Sequence, residues 1–231
     1  MRIDIITGFP SLFTGPLTES IVKRAQQAGL VEIVLHDLRD YAHDKHRSID
    51  DSPYGGGAGM VMKPEPFFEC INALKSERAY DEVILTTPAG TMYTQDEAKR
   101  LSMLGNIAII CGHYKGIDDR VRQALVTREV SIGDYVLTGG ELAAMVIADS
   151  VTRLLPGAVG DGESMLSDSF MDGGLACPQF TRPPSYGGFE VPAPLLSGNH
   201  REIALWREKY AEQVTRARRP DLLGEDAAPT A

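Results

Sequence analysis

The chain has 231 residues, 43% hydrophobic and 24% charged, which is ordinary globular usage and excludes collagenous, low-complexity and wholly disordered chains. No apolar run approaches the roughly 20 residues of a membrane span, and MRIDIITGFP carries Asp4 and Pro10 where a signal peptide is apolar, so a cytoplasmic protein with no membrane partner is expected. Twenty-three basic against 32 acidic residues give a net charge of −9, which on its face argues against a nucleic-acid partner.

The predicted elements alternate. Ile3–Ile6, Val31–Leu35, Glu82–Thr86, Ile107–Cys111 and Glu129–Ile132 read as short buried strands. Helical periodicity covers Ser20–Ala28, Pro64–Tyr80 and Thr94–Leu104, the last opening with Thr94 and Glu97 at capping-box spacing. A further apolar helix, LAAMVIADSVTRLLPG, with Arg153 near its end, follows the fifth strand. This βαβ order predicts an α/β fold with a mostly parallel sheet covered by helices to about Leu155.

From Pro156 to Tyr186 the chain turns to Gly, Asp, Ser and Pro and reads as a linker with mobile parts. Asn199 and Glu202 again have capping spacing, and Ile203, Leu205, Trp206 and Tyr210 predict an apolar stripe on a helix that ends before Pro220. The tail GEDAAPTA is too polar and small to pack. Residues 199–219 hold six basic residues, Arg201, Arg207, Lys209, Arg216, Arg218 and Arg219, against Glu202, Glu208 and Glu212. Charge alone reads this as a solvated helix face.

Four glycine-rich loops flank the strands: PYGGGAGM (53–60), TTPAG (86–90), CGHYKGID (111–118) and SIGDYVLTGGE (131–141). None is a dinucleotide or P-loop fingerprint. Any one of them is first a tight turn. Several together at strand ends point to a ligand cleft, because open α/β sheets bind at the carboxyl ends of strands.

Other candidates are weaker. His36, His43 and His46 lie close in sequence but lack metal-ligand spacing, Asp50 and Asp51 read as a turn, and Cys70, Cys111 and Cys177 are single thiols suited to a reducing compartment. No metal site is expected. Taken alone, Arg153 complements a helix C-terminus and Asp168 is a solvated loop acid.

In order along nearly the whole chain, DDSPYGGGAGM (50–60), the Cys111–Asp118 loop, SIGDYVLTGGE, Arg153–Gly157, DSF (168–170), the 178–183 segment ending FTRP, the 191–200 segment ending PLLSGNH, and RRPDLL (218–223) resemble the bacterial tRNA (guanine-N1-)-methyltransferase family. The resemblance implies a SPOUT-type trefoil-knotted parallel sheet flanked by helices, with a small helical C-terminal domain. Pattern and topology rules alone would give an unknotted doubly wound sheet. It further implies a homodimer, with the active site at the subunit interface, that methylates N1 of the guanine at position 37 of tRNA, the methyl donor being S-adenosyl-L-methionine. The implied division is a knotted catalytic domain over 1–160, a flexible linker over 161–171 and a tRNA-binding domain over 172–231.

Carried over by residue, the resemblance implies a donor pocket of Thr86, Pro88, Gly112, Tyr114, Gly116, Ile132, Gly133, Asp134, Tyr135, Val136, Leu137, Gly139 and Gly140, with Asp168 as general base and Arg153 as the charge-stabilising cation. Many members have arginine at the position of His113 and a glutamate, linked to a magnesium requirement, at that of Lys115. A lysine cannot ligate Mg²⁺ as a carboxylate does, so the resemblance does not carry that requirement here. The alternative is an RNA-binding protein of the same fold without catalysis; the intact SIGDYVLTGG loop and Asp168 favour the enzyme.

Overall fold

The computed structural model describes residues 1–160 and 167–224, so the linker residues 161–166 and the tail from 225 lie outside the described residues. The chain divides into two compact units, Met1–Gly160 and Asp161–Ala231.

In the first unit, strands β1 (Arg2–Thr7), β2 (Glu32–Asp37), β5 (Glu82–Met92), β6 (Asn106–Cys111) and β7 (Arg128–Ser131) form a parallel sheet in the order β2-β1-β6-β5-β7. The short pair β3 (Asp50–Asp51) and β4 (Val61–Met62) is antiparallel. Helices α1 (Ser20–Gln27), α2 (Pro64–Glu77), α3 (Gln95–Ser102), α4 (Asp119–Leu125) and α5 (Glu141–Thr152) cover the sheet.

Strand periodicity explains the two layers. Ile3, Ile5, Ile84, Ile107 and Ile109 point to one face and pack with Val22, Leu101, Ala144, Ile147 and Val151 of α1, α3 and α5. Ile6, Val83, Leu85, Ala108 and Ile110 point to the other and pack with Phe67, Ile71, Leu74 and Val121 of α2 and α4. Both faces are buried, which is why these strands read as continuous apolar runs. Thr94 caps α3 by accepting from the Glu97 N–H at 3.4 Å, but the Glu97 carboxylate turns away to Arg100 and Arg128 rather than closing the capping box.

One expected boundary is corrected. Strand β5 does not stop at Thr86: Thr86 and Thr91 both pair with Val130, so residues 87–90 loop out as a bulge and the strand resumes to Met92. Gly90 permits this, since a Cβ there would sit 2.3 Å from the Val130 nitrogen.

The second unit contains the hairpin β8 (Ser185–Tyr186) and β9 (Phe189–Glu190), α6 (Ala193–Leu196) and α7 (His200–Arg218). The hairpin turn, Gly187–Gly188, has φ of +59° and +84°, the left-handed pair a two-residue turn requires. Asn199 caps α7 by accepting from the N–H groups of Arg201 and Glu202. Trp206 and Tyr210 stack at 4.9 Å, but Leu205 is 57% exposed and does not belong to the predicted stripe, because position 205 falls outside the helical spacing of 203, 206 and 210.

Candidate active site

Three loops meet at the bulge of β5 and the carboxyl ends of β6 and β7. The Gly140 N–H donates to the Gly112 carbonyl at 2.7 Å, and His113 and Gly139 form an antiparallel bridge, so the 112–118 and 132–140 loops are stitched together. The Thr86 hydroxyl lies 3.1 Å from the Ile110 carbonyl and 3.3 Å from that of Gly140, tying β5 to both. Approach this close needs a missing side chain: a Cβ on Gly140 would come within 2.1 Å of Thr86 Oγ1 and 3.1 Å of the Cys111 Cα.

Between the loops lies a cleft of about 260 Å³. Thr86, Pro88, Gly112, Tyr114, Gly116, Ile132, Gly133, Tyr135, Val136, Leu137, Gly139 and Gly140 all line it. Asp134 is not among the lining residues. His113, Lys115 and Thr138, within the same loops, also line the cleft, as do Ser131 and Ala143 beside them. Apolar walls, small residues and close backbone suit an adenosyl group, whose polar edge is matched by main-chain donors and acceptors. Beneath it Cys111 is fully buried, and burial pushes its thiol well above the usual range, so it packs rather than reacts.

A buried carboxylate underlies this wall. Glu141, 2% exposed at the first turn of α5, accepts from the Thr7 hydroxyl at 2.9 Å and lies 3.3 Å from His113 Nδ1. The His113 ring stacks on Phe9 with centroids 4.1 Å apart. A Cβ on Gly139 would clash with both Glu141 Oε2 and His113 Nδ1. Glu141 thus joins the end of β1, the 112–118 loop and α5 at one point. Helical spacing was the signal for it: Glu141 heads the row Ala144, Ala148 and Val151, all buried.

Arg153 is the C-cap of α5, its N–H bonded to the Asp149 carbonyl at 3.0 Å, in the first unit. Asp168 belongs to the second unit and is half-buried. Its neighbours are held rather than loose. Ser169 Oγ accepts from the Ala176 N–H at 2.9 Å, the Phe170 N–H reaches the Gly174 carbonyl at 2.6 Å, and Arg219 lies 5.8 Å over the Phe170 ring. The buried Thr215 hydroxyl accepts from the Leu175 N–H at 2.9 Å, fastening the same segment to α7. The bonds of Ser169 and Phe170 involve the described part, 167–171, of the linker expected over 161–171.

The clustered histidines are accounted for separately, His36 bonding Asp4 at 2.7 Å and His43 bonding Glu69 at 2.5 Å, while His113, distant in sequence, serves Glu141. His46 contributes its backbone N–H to Asp44. Among the described residues no group of three His, Cys, Asp or Glu side chains is arranged to hold a metal ion.

The family model described as tRNA (Guanine-1)-methyltransferase TrmD matches residues 1–225. The chain belongs to the tRNA (guanine-N1-)-methyltransferase family. It is similar to a protein from Bacteroides fragilis named tRNA (guanine-N(1)-)-methyltransferase, with 56% identity over 223 residues, 96% of this chain and 99% of the relative. A protein of the same name from Chloroflexus aggregans is 56% identical over 229 residues, 99% of this chain and 89% of the relative. One from Chlorobaculum tepidum is 51% identical over 227 residues, covering 98% and 99%.

In this member of the methyltransferase family the PYGGGAGM loop backs the cleft. The Lys115 N–H donates to the Met60 carbonyl at 3.0 Å, the Met62 N–H to Gly116 at 3.0 Å, and the Asp118 N–H to Met62 at 2.9 Å. The Lys115 stem lies over Gly59, where a Cβ would come within 2.7 Å of its Cγ. Gly55, Gly56, Gly57 and Gly59 all have positive φ, so the glycine run is a backbone requirement of this junction. Among the described residues no helix is long and apolar enough to cross a membrane.

Proposed function

We propose that this methyltransferase transfers the methyl group of S-adenosyl-L-methionine to N1 of the guanine at position 37 of tRNA, next to the anticodon. The observation that carries this reading is the cleft formed by three stitched loops in a chain of this family. The donor, when bound, supplies an electrophilic methyl on a sulfonium. Thr86, Pro88, Gly112, Tyr114, Gly116, Ile132, Gly133, Tyr135, Val136, Leu137, Gly139 and Gly140 hold it, with glycine allowing main-chain groups to approach.

Guanine N1 carries a proton and is a poor nucleophile until a base removes it. Asp168, a half-buried carboxylate, takes that proton. Deprotonation moves charge onto guanine O6, and the Arg153 guanidinium meets it there, an interaction on the scale of one oxyanion donor, about 3 kcal/mol.

The same reading makes the protein a cytoplasmic homodimer with a trefoil-knotted catalytic domain over 1–160 and a tRNA-binding domain over 172–231. A second copy is supported by the apolar side chains that Leu142 and Val146 present on α5, each about half exposed. In the dimer Asp168 acts on the donor cleft of the other subunit.

Calorimetric titration with S-adenosyl-L-methionine tests the donor site. The wild-type protein gives saturable heat, and Gly140→Trp, whose side chain would occupy the space of Thr86 and the Gly112 backbone, gives none while its far-ultraviolet dichroism is kept. A folded wild-type protein that releases no saturable heat contradicts the reading.

A further inference from the structure

We propose that a groove on the second unit is a nucleotide-binding site that grips an unstacked nucleotide of the tRNA, separate from the base that is methylated. The proposal rests on the reading of this unit as the tRNA-binding domain. The groove encloses about 730 Å³, within the range of small-ligand pockets. It gathers motifs that the donor cleft does not use: FTRP supplies Phe180 and Arg182, the PLL segment supplies Leu195, and α7 supplies Ile203 and Arg207, with Val191 in the floor.

Its chemistry is that of a nucleotide. Val191, Leu195 and Ile203 are half-buried and form an apolar floor. Phe180 is 47% exposed and offers a ring face, held from behind edge-on by Trp206 at 6.3 Å, which in turn stacks on Tyr210. Unpaired bases bind by stacking on such rings. Arg182 and Arg207 are exposed at the rim, and no carboxylate among the described residues lines the groove.

Neither guanidinium has a hydrogen bond or ion pair among the described residues, whereas Arg216 and Arg219 of the same unit are paired with Glu212 and Asp221. Two unneutralised guanidinium groups flanking an apolar, aromatic groove complement a phosphate on either side of a stacked base. The local cations outweigh the net charge of −9, which is a property of the whole chain.

Trp206 is the only tryptophan of the chain and reports from behind the groove. The test titrates the full-length protein with a tRNA transcript bearing guanine 37, reading Trp206 emission, affinity and its salt dependence. The expected result is quenching of Trp206 on binding. Arg182→Ala combined with Arg207→Ala should weaken tRNA affinity at least tenfold and lower the slope of log affinity against log salt by about 2, one per phosphate contact. Phe180→Leu should weaken affinity about tenfold with the slope kept, since it removes stacking and not charge. Calorimetry with S-adenosyl-L-methionine should be unchanged in each variant, which shows that the first unit is folded, and an unchanged far-ultraviolet dichroism and thermal unfolding profile show the same of the second.

Wild-type tRNA affinity and slope in the double arginine variant overturn the proposal. Arg201→Ala and Arg218→Ala, on α7 outside the groove, separate two failures. If they weaken tRNA binding and the groove variants do not, the domain binds RNA elsewhere. If none of them matters, the reading of the second unit as the tRNA-binding domain falls as well. Quenching of Trp206 by an acidic peptide but not by tRNA would assign the groove to a protein partner and also overturn the proposal.

Discussion

A carboxylate that removes the N1 proton of guanine must be a usable base near neutral pH, and Asp168 is the group on which the proposed chemistry depends. Asp168→Asn is nearly isosteric but cannot accept the proton. Turnover should fall by about 10²–10⁴, the usual contribution of a general base, with the heat of donor binding unchanged. Near-normal turnover would remove Asp168 from the mechanism. Glu141 shows a different use of a carboxylate: buried at the foot of the cleft, it depends on donors from Thr7 and His113. Thr7→Val keeps the volume and removes one donor, so the urea midpoint should drop by the equivalent of about 1–3 kcal/mol, the usual cost of an unsatisfied buried polar atom. An unchanged midpoint would mean that the carboxylate finds another donor.

At the scale of elements, β1 carries an acid in its middle. Asp4 is fully buried among apolar strands. Burial by itself pushes its carboxyl up, but hydrogen bonds from His36, Arg2 and Tyr80 outweigh that and hold it well below the usual carboxylate range. An acid depressed in the folded state binds fewer protons there than in the unfolded chain. Its stabilisation is therefore complete above about pH 4, the ordinary carboxylate value, and is lost as pH falls through the lower native value. Urea unfolding of the wild type and Asp4→Asn between pH 7 and pH 2 should show the gap narrowing below pH 4. A gap independent of pH would contradict this account of the cluster.

These elements also mark what a sequence can disclose. The strands were legible because both faces of the sheet are buried, so runs such as Ile107–Ile110 carry no polar interruption. Strand order was not, since pairing β1 with β6 joins residues about a hundred positions apart and no local pattern encodes it. The extension of β5 to Met92 was hidden because TTPAG has the composition of a turn, and only the backbone of β7 gives Gly90 its reason. The motifs behind the resemblance supply most of the cleft wall, and Asp134, part of the same motif, does not line it. His113 and Glu141 form a pair only through the bridge between two loops, which spacing along the chain does not reveal.

For the molecule as a whole, Arg153 lies in one compact unit and Asp168 in the other, and the proposed dimer brings the donor cleft of one subunit to Asp168 of its partner. A C2 interface allows this, because each contact is made twice. Mixing inactive Asp168→Asn and Gly140→Trp homodimers should restore activity, since exchange yields heterodimers with one intact site. No recovery after proven exchange would place each site within a single subunit.

The central claim is chemical and can be read directly from the product. The wild-type protein is incubated with methyl-labelled S-adenosyl-L-methionine and tRNA transcripts that differ only in guanine or adenine at position 37, and the modified base is mapped. The account predicts one methyl per tRNA, on N1 of guanine 37, and none on the adenine transcript. Label at another nucleotide, equal label on both transcripts, or no transfer by a protein that binds the donor would contradict it.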